Sequence, residues 1–242
     1  MSFDFLDVSG PDSGVSRVEL TRKKKKNALC MALRDELETA LHQLAADPQV
    51  KAVVLTGGDG IFSAGYDLRE GAETGGKAFL HRFTEFFTAC YCFPKPVIAA
   101  VDGPALAGGF DLALMADLIV ASTRARFGHP EIAFAPVAVT PLSRFLHGSA
   151  LRRMCLLGEL IDADEAKALG IVHEIVEPAE TLAAATRLAN RIAGFPPGGV
   201  ALTKRALDGD VARSIARDLD GVNAILAGAD GVYDSYVSRK LD

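Results

Sequence analysis

The sequence predicts an α/β fold with largely parallel strands, followed by a helical C-terminal region. Two observations carry this prediction. Short apolar runs alternate with stretches of helical periodicity, and the connections between them are short and rich in glycine and proline. From about residue 142 the pattern becomes predominantly helical. We therefore expect an α/β core over residues 1–190 and a helical region over residues 191–242.

The predicted strands are short apolar runs that end in turn residues. They cover residues 3–8, 15–21, 51–56, 97–101 and 118–121. The predicted helices follow the spacing of their apolar residues. They cover residues 31–46, 76–92 and 110–116, with two more within 198–228. A further helix should begin at a capping box formed by Asp162 and Glu165 and should end at Gly170.

The last predicted helices keep apolar residues after the core is already complete. These residues are Val211, Ile215, Leu219, Val222 and Ile225. A surplus apolar stripe of this kind usually marks an interface. The sequence therefore predicts that copies of the chain associate through the helical region.

Composition excludes several classes of protein. Hydrophobic residues make up 49% of the chain, which is too many for a disordered protein. The net charge of −5 argues against a nucleic-acid-binding protein, and no apolar run is long enough to span a membrane. The four cysteines match neither a zinc pattern nor a secreted disulfide scaffold, so we expect no metal and a cytoplasmic location.

One basic run departs from this acidic balance. Arg22 is followed by four lysines, which include Lys24, Lys25 and Lys26. A run of cations forms either a solvated loop or a site for a polyanion, such as the phosphates of a nucleotide-like group. The spacing alone leaves both interpretations open.

Two glycine-bearing segments each follow a predicted buried strand. They are Phe62–Leu68 and Asp102–Asp111, and the second contains Gly108 and Gly109 at the start of a predicted helix. Backbone amides at a helix start have no partner within the helix, and glycine lets a ligand approach them closely. Two such amides that face one point would form an oxyanion hole. The alternative is a pair of tight turns without a ligand.

Taken together and in order, these segments resemble the enoyl-CoA hydratase/isomerase, or crotonase, superfamily. The resemblance covers nearly the whole chain. The matching segments are Arg22–Cys30, Phe62–Leu68, Lys95–Ala99, Ala107–Asp111, Phe127–Ile132 and Asp162–Val172. It implies a spiral of ββα repeats and a helical region that assembles trimers, which often pair into hexamers.

The resemblance also implies an acyl-CoA substrate, whose thioester oxygen would lie between the amides of Ala64 and Gly108. Coenzyme A would be part of that substrate, so no separate cofactor is expected. The implied contacts to coenzyme A are Lys24, Lys25, Lys26, Ala28, Ser63, Ala64, Gly65, Tyr66, Asp67 and Leu68.

Hydratases of this family use two glutamates, and the matching positions are Asp111 and Glu131. Hydration of a conjugated double bond needs a base at the water and a proton donor at Cα. Burial and mutual repulsion should separate the pKa values of the two carboxylates. Without the resemblance, Glu131 would be interpreted as a solvated carboxylate and Asp111 as a charge stabilised by the helix dipole.

The sequence departs from the hydratase pattern in two places. Asp111 is one methylene shorter than the hydratase glutamate, and residues 132–142 lack the glycine-rich helix start common in the family. We expect hydration of a 2-enoyl-CoA. The alternatives are an enoyl- or dienoyl-CoA double-bond isomerase and an acyl-CoA-binding member with little activity.

Overall fold

A six-stranded sheet forms the centre of the molecule in the computed structural model, which describes residues 3–70, 86–133, 137 and 139–209. The strand order is β1-β2-β3-β4-β6-β9, and every pair is parallel except β1 with β2. The strands of this sheet are β1 (Leu6–Asp12), β2 (Val15–Leu20), β3 (Ala52–Thr56), β4 (Val97–Val101), β6 (Leu118–Ser122) and β9 (Glu174–Val176).

A second sheet of three short strands, in the order β5-β7-β8, lies beside the first. Its strands are β5 (Pro104–Leu106), β7 (Arg126–Gly128) and β8 (Ile161–Asp162). The sequence predicts no strand over residues 103–109, so β5 is an element that the sequence analysis missed. A strand of three residues carries too little periodicity to be recognised, and its pairing with a distant segment is what stabilises it.

Seven α-helices are complete within the described residues. They are α1 (Met31–Ala46), α2 (Gly108–Leu114), α3 (Val139–Ser143), α4 (Gly148–Leu157), α5 (Ala163–Ala168), α6 (Thr181–Ala193) and α7 (Pro197–Leu207). The predicted helix over 31–46 coincides with α1. Of the predicted helix over 76–92, residues 76–85 lie outside the described residues, whereas 86–91 are helical. The predicted cap of α5 is confirmed, because the Asp162 carboxylate accepts from Glu165 N at 2.9 Å.

The strands β3 and β4 are buried on both faces, as expected for parallel strands between two layers. Val53 and Leu55 face the larger core, which includes the apolar side of α1, whereas Val54 and Ile98 face the alanines of α6. The predicted boundary at residue 190 falls inside α6 and not between two elements.

The apolar stripe predicted between Val211 and Ile225 lies outside the described residues, so its role in assembly stays a prediction. No helix in the described part of the chain has the length and apolar character needed to cross a membrane.

Candidate active site

Pairing of β5 with β7 brings two distant segments of the chain together. The strands run parallel, with Leu106 opposite Gly128. The chain leaves β5 into α2, which carries Asp111, and it leaves β7 into His129 and a 3-10 helix over Pro130–Ala133. The two carboxylates singled out in the sequence therefore enter one buried site. The expectation that Asp111 and Glu131 lie together agrees with this geometry.

A histidine joins the two carboxylates. His129 Nδ1 lies 2.9 Å from Glu131 Oε1, and Nε2 lies 3.7 Å from Asp111 Oδ1. The His129 side chain is fully buried, and the exposed fractions of Asp111 and Glu131 are 2% and 13%. Three atoms in this cluster are buried and have no hydrogen-bond partner among the described residues: Asp111 Oδ1, His129 Nε2 and Glu131 Oε2. Buried polar atoms normally have partners, so these atoms are available to a substrate or water.

Burial dominates the acid–base behaviour of the cluster. It raises the pKa of Asp111 to about 8, while His129 opposes this shift and Glu131 adds to it. Asp111 is therefore largely a neutral acid at pH 7. Burial also acts to lower the pKa of His129, but the Asp111 charge and the Glu131 charge and hydrogen bond outweigh it, so the pKa rises above 6.5. At pH 7 the site therefore favours a neutral Asp111 beside an imidazolium that pairs with the Glu131 carboxylate at 2.9 Å.

Other ionisable groups near the carboxylates stay neutral. Burial and the Asp111 charge raise the pKa of Tyr66 and of Tyr91 well above 10. The same two causes, with a contribution from Glu131, raise the pKa of the Cys155 thiol to about 11. These side chains therefore add no charge to the site between pH 5 and 9.

The start of α2 is built around two glycines. A Cβ on Gly108 would lie 2.0 Å from Tyr66 Cε2, and a Cβ on Gly109 would lie 2.4 Å from Ser63 O. The preceding residue, Ala107, has φ 51° and ψ −129°, a conformation that costs on the order of 1–3 kcal/mol for a residue with a side chain. Ala107 N donates to Gly128 O at 2.9 Å, which fixes this turn on β7. The result is a close-packed helix start whose first amide belongs to Gly108.

The turn that faces Gly108 is held by its own side chains. Gly65 has φ +92°, and a Cβ there would lie 3.2 Å from Gly108 N. Ser63 Oγ donates to Asn27 O at 2.8 Å and accepts from Gly65 N at 3.2 Å. Ala64 N donates to Lys26 O at 3.0 Å.

Ala64 N therefore has a backbone acceptor in this structure, and its role as an oxyanion donor stays a prediction. Gly65 and Tyr66 are the residues of the turn that contact Gly108.

An ion pair and several hydrogen bonds hold the basic run against the same turn. Arg22 forms an ion pair with Asp67 at 2.7 Å and donates to Ala28 O at 3.0 Å. The buried Asn27 amide donates to Gly57 O and Phe62 O, at 2.9 and 3.0 Å, and Leu29 N donates to Gly65 O at 2.8 Å. Residues 22–29 and 62–67 therefore form one rigid edge of the site.

The predicted contacts to coenzyme A differ in their exposure. Lys24, Lys25 and Lys26 are exposed, and none of them forms an ion pair with another described residue. The Asp67 carboxylate is neutralised by Arg22, and Leu68 is half-buried. Three exposed lysines without an ion-pair partner in the described part of the chain thus lie on the edge that also carries the turn at Gly65.

These features agree with what the comparisons with known proteins show. The enoyl-CoA hydratase/isomerase family model matches residues 10–226. The short-chain-enoyl-CoA hydratase of Clostridium acetobutylicum is 34% identical over 237 residues, covering 93% of this chain and 88% of its own length. The 2,3-dehydroadipyl-CoA hydratase of Escherichia coli is 36% identical over 193 residues, covering 78% and 76%.

A solved structure adds the fold. The crystal structure of an enoyl-CoA hydratase/isomerase from Xanthobacter autotrophicus Py2 has a TM-score of 0.87 and 32% sequence identity, and the match covers 93% of this chain and 88% of that one. The chain belongs to the enoyl-CoA hydratase/isomerase family. The crotonase-like fold expected from the sequence is thereby confirmed, and the protein is an enzyme of this family.

Within this family assignment, His129 is the functional residue that sequence reasoning missed. It stands in the matched segment Phe127–Ile132, two residues before Glu131, but a lone buried histidine carries no pattern of its own. Asp111, His129 and Glu131 also offer atoms of the metal-ligand type within 4.8 Å of one another, the one such group found among the described residues. We interpret the three side chains as acid–base groups, since the distance of 2.9 Å between His129 Nδ1 and Glu131 Oε1 is that of a hydrogen bond.

Proposed function

We propose that this enzyme hydrates a 2-enoyl-CoA thioester to the 3-hydroxyacyl-CoA. The observation that carries the proposal is the pair of buried carboxylates, Asp111 and Glu131, beside the glycine-built start of α2. Related proteins named as enoyl-CoA hydratases support the same reaction. The acyl-CoA is the substrate, and the reaction needs no separate cofactor.

The two carboxylates divide the proton work according to their surroundings. Glu131 accepts a proton from water as the water oxygen bonds to Cβ of the substrate. Asp111, a neutral acid at pH 7 because burial raises its pKa to about 8, donates its proton to Cα. One water is added, and the negative charge on the pair passes from Glu131 to Asp111.

The charge that builds up on the thioester oxygen needs backbone donors. Gly108 N supplies one of them at the start of α2. We propose that the second donor is Ala64 N, on the turn that faces Gly108, which would exchange its hydrogen bond to Lys26 O for one to the thioester oxygen. A single donor of this kind contributes about 3–4 kcal/mol to the transition state.

Coenzyme A binding is assigned to the edge formed by residues 22–29 and 62–67. Lys24, Lys25 and Lys26 provide positive charge for its phosphates, and Ala28 and Ser63 lie on the same edge. The exposed position of the three lysines supports a contact with a polyanion that arrives from solvent.

The test is hydration of crotonyl-CoA, followed by the loss of ultraviolet absorbance of the conjugated thioester. Asp111→Asn and Glu131→Gln should each lower kcat by about 100-fold or more. Asp164→Asn and Glu180→Gln change exposed acids of the same types and should leave kcat unchanged. Turnover that survives Glu131→Gln would refute the proposal, and rearrangement of a 3-enoyl-CoA without hydration would favour an isomerase.

We also propose that the enzyme is a homotrimer or a hexamer in the cytoplasm. Leu156 and Leu157 at the end of α4 and Leu202 and Leu207 on α7 are between 60% and 75% exposed, which supports contacts with further copies. All four cysteines are free, in keeping with a reducing compartment. Light scattering at micromolar concentration should give three or six times the mass of the chain.

A further inference from the structure

His129 lies between the two carboxylates, and the proposed hydration has not used it. Its two nitrogens face different partners: Nδ1 lies 2.9 Å from Glu131 Oε1, and Nε2 lies 3.7 Å from Asp111 Oδ1. The ring is fully buried and packs against Phe110, with 5.1 Å between ring centroids. A histidine held in this way has a fixed orientation toward both carboxylates.

This position provides a counter-ion for the carboxylate charge during the reaction. During hydration a proton leaves water for Glu131 while another leaves Asp111 for Cα, so the negative charge moves from one carboxylate to the other. An imidazolium that contacts both groups stays paired with that charge before and after the step. Without it, the carboxylate charge would have no counter-ion among the described residues in either state, which is costly in a buried site.

We infer that His129 is the shared counter-ion of Asp111 and Glu131 and positions the pair for proton transfer. The inference rests on the proposed hydration and adds a positioning residue to it. The hydrogen bond to Glu131 Oε1 leaves Oε2, which has no partner within the residues that the structure describes, for the water.

The other titratable groups around the cluster do not compete for this role. Among the described residues, Tyr66, Tyr91 and Cys155 are the other ionisable side chains whose pKa values respond to the charge of Asp111 or Glu131, and burial keeps all three neutral below about pH 9. They therefore supply no counter-charge to the carboxylates.

Two variants separate charge from hydrogen bonding. His129→Phe keeps the ring and removes both nitrogens, whereas His129→Asn retains a donor near Nδ1 without the charge. In His129→Phe we expect kcat to fall by about 10- to 100-fold with little change in KM. His129→Asn should recover part of kcat, and the exposed His173→Asn should match the wild type.

A titration of the imidazole nitrogens by 15N NMR tests the inference in the free protein, without turnover. The five histidines of the chain make the assignment tractable. His129 should stay protonated on both nitrogens above pH 6.5, and its midpoint should fall in Glu131→Gln. Asp111→Asn replaces a group that is already neutral at pH 7 and should change the midpoint less. If crotonyl-CoA is not hydrated but the midpoint falls in Glu131→Gln, the proposed function fails and the counter-ion role stands.

Three results would overturn the inference: identical His129 midpoints in the wild type and Glu131→Gln, a wild-type kcat in His129→Phe, or displacement of the Nε2 proton when Zn²⁺ alone is added to chelator-treated protein. The last result would make the cluster a cation site.

Discussion

A methyl group added at Gly108 tests whether the start of α2 is built for catalysis. The Cβ of Gly108→Ala would lie 2.0 Å from Cε2 of the Tyr66 ring, with Cδ2 and Cζ at 2.5 and 2.6 Å. Since carbon atoms at van der Waals contact are about 3.5–4.0 Å apart, the ring or the helix start must move by at least about 1.5 Å. Overpacking of this kind costs about 1–3 kcal/mol of stability.

The displacement should harm activity more than stability. A donor misplaced by about 1 Å can lower the rate about 100-fold, and loss of one oxyanion donor lowers kcat by about 100- to 1000-fold. We therefore expect Gly108→Ala to melt several degrees lower and to hydrate crotonyl-CoA at least about 100-fold more slowly, when kcat is measured on folded protein below the melting transition.

Two further variants test whether the clash at Gly108 causes that result. Gly199→Ala adds a methyl group to another helical glycine, where nothing lies within 4 Å, and should leave kcat unchanged. Adding Tyr66→Ala to Gly108→Ala removes the clashing ring and should restore part of the stability. A Gly108→Ala enzyme with wild-type kcat would refute a catalytic role for this amide.

Three other outcomes follow from the structure. Replacing Lys24, Lys25 and Lys26 together by alanine should raise KM for crotonyl-CoA about tenfold or more with kcat unchanged, and the wild-type KM should rise with salt. Between pH 3.8 and about 8, Asp111 is protonated in the folded protein and ionised in the unfolded chain. The free energy of unfolding should therefore fall as the pH rises across this window, by up to about 1.4 kcal/mol per pH unit. Asp111→Asn should flatten that slope in urea titrations at several pH values. Leu207→Glu places a charge at an exposed apolar position and should reduce the assembled mass seen by light scattering.

The sequence predicted those parts of the fold whose signal is local. The apolar runs of β3 and β4 and the helical spacing of α1 are each complete within one stretch of chain, and each of these elements was found. The strands β5, β7 and β8 were missed because they are only two or three residues long. Their pairing partners lie more than twenty residues away in the chain, and no local pattern shows such pairing.

The site divides in the same way. The residue types at Asp111, Glu131 and Gly108, and their match to the family's motifs, belong to the sequence alone. Only the tertiary structure decided that His129 joins the carboxylates and that Ala64 N is used by Lys26 O. The physical reason is that these properties depend on groups that long-range strand pairing brings together. They include the direction of an amide, the pKa of a carboxyl group and the partner of an imidazole. In the sequence, those groups are far apart and show no common pattern.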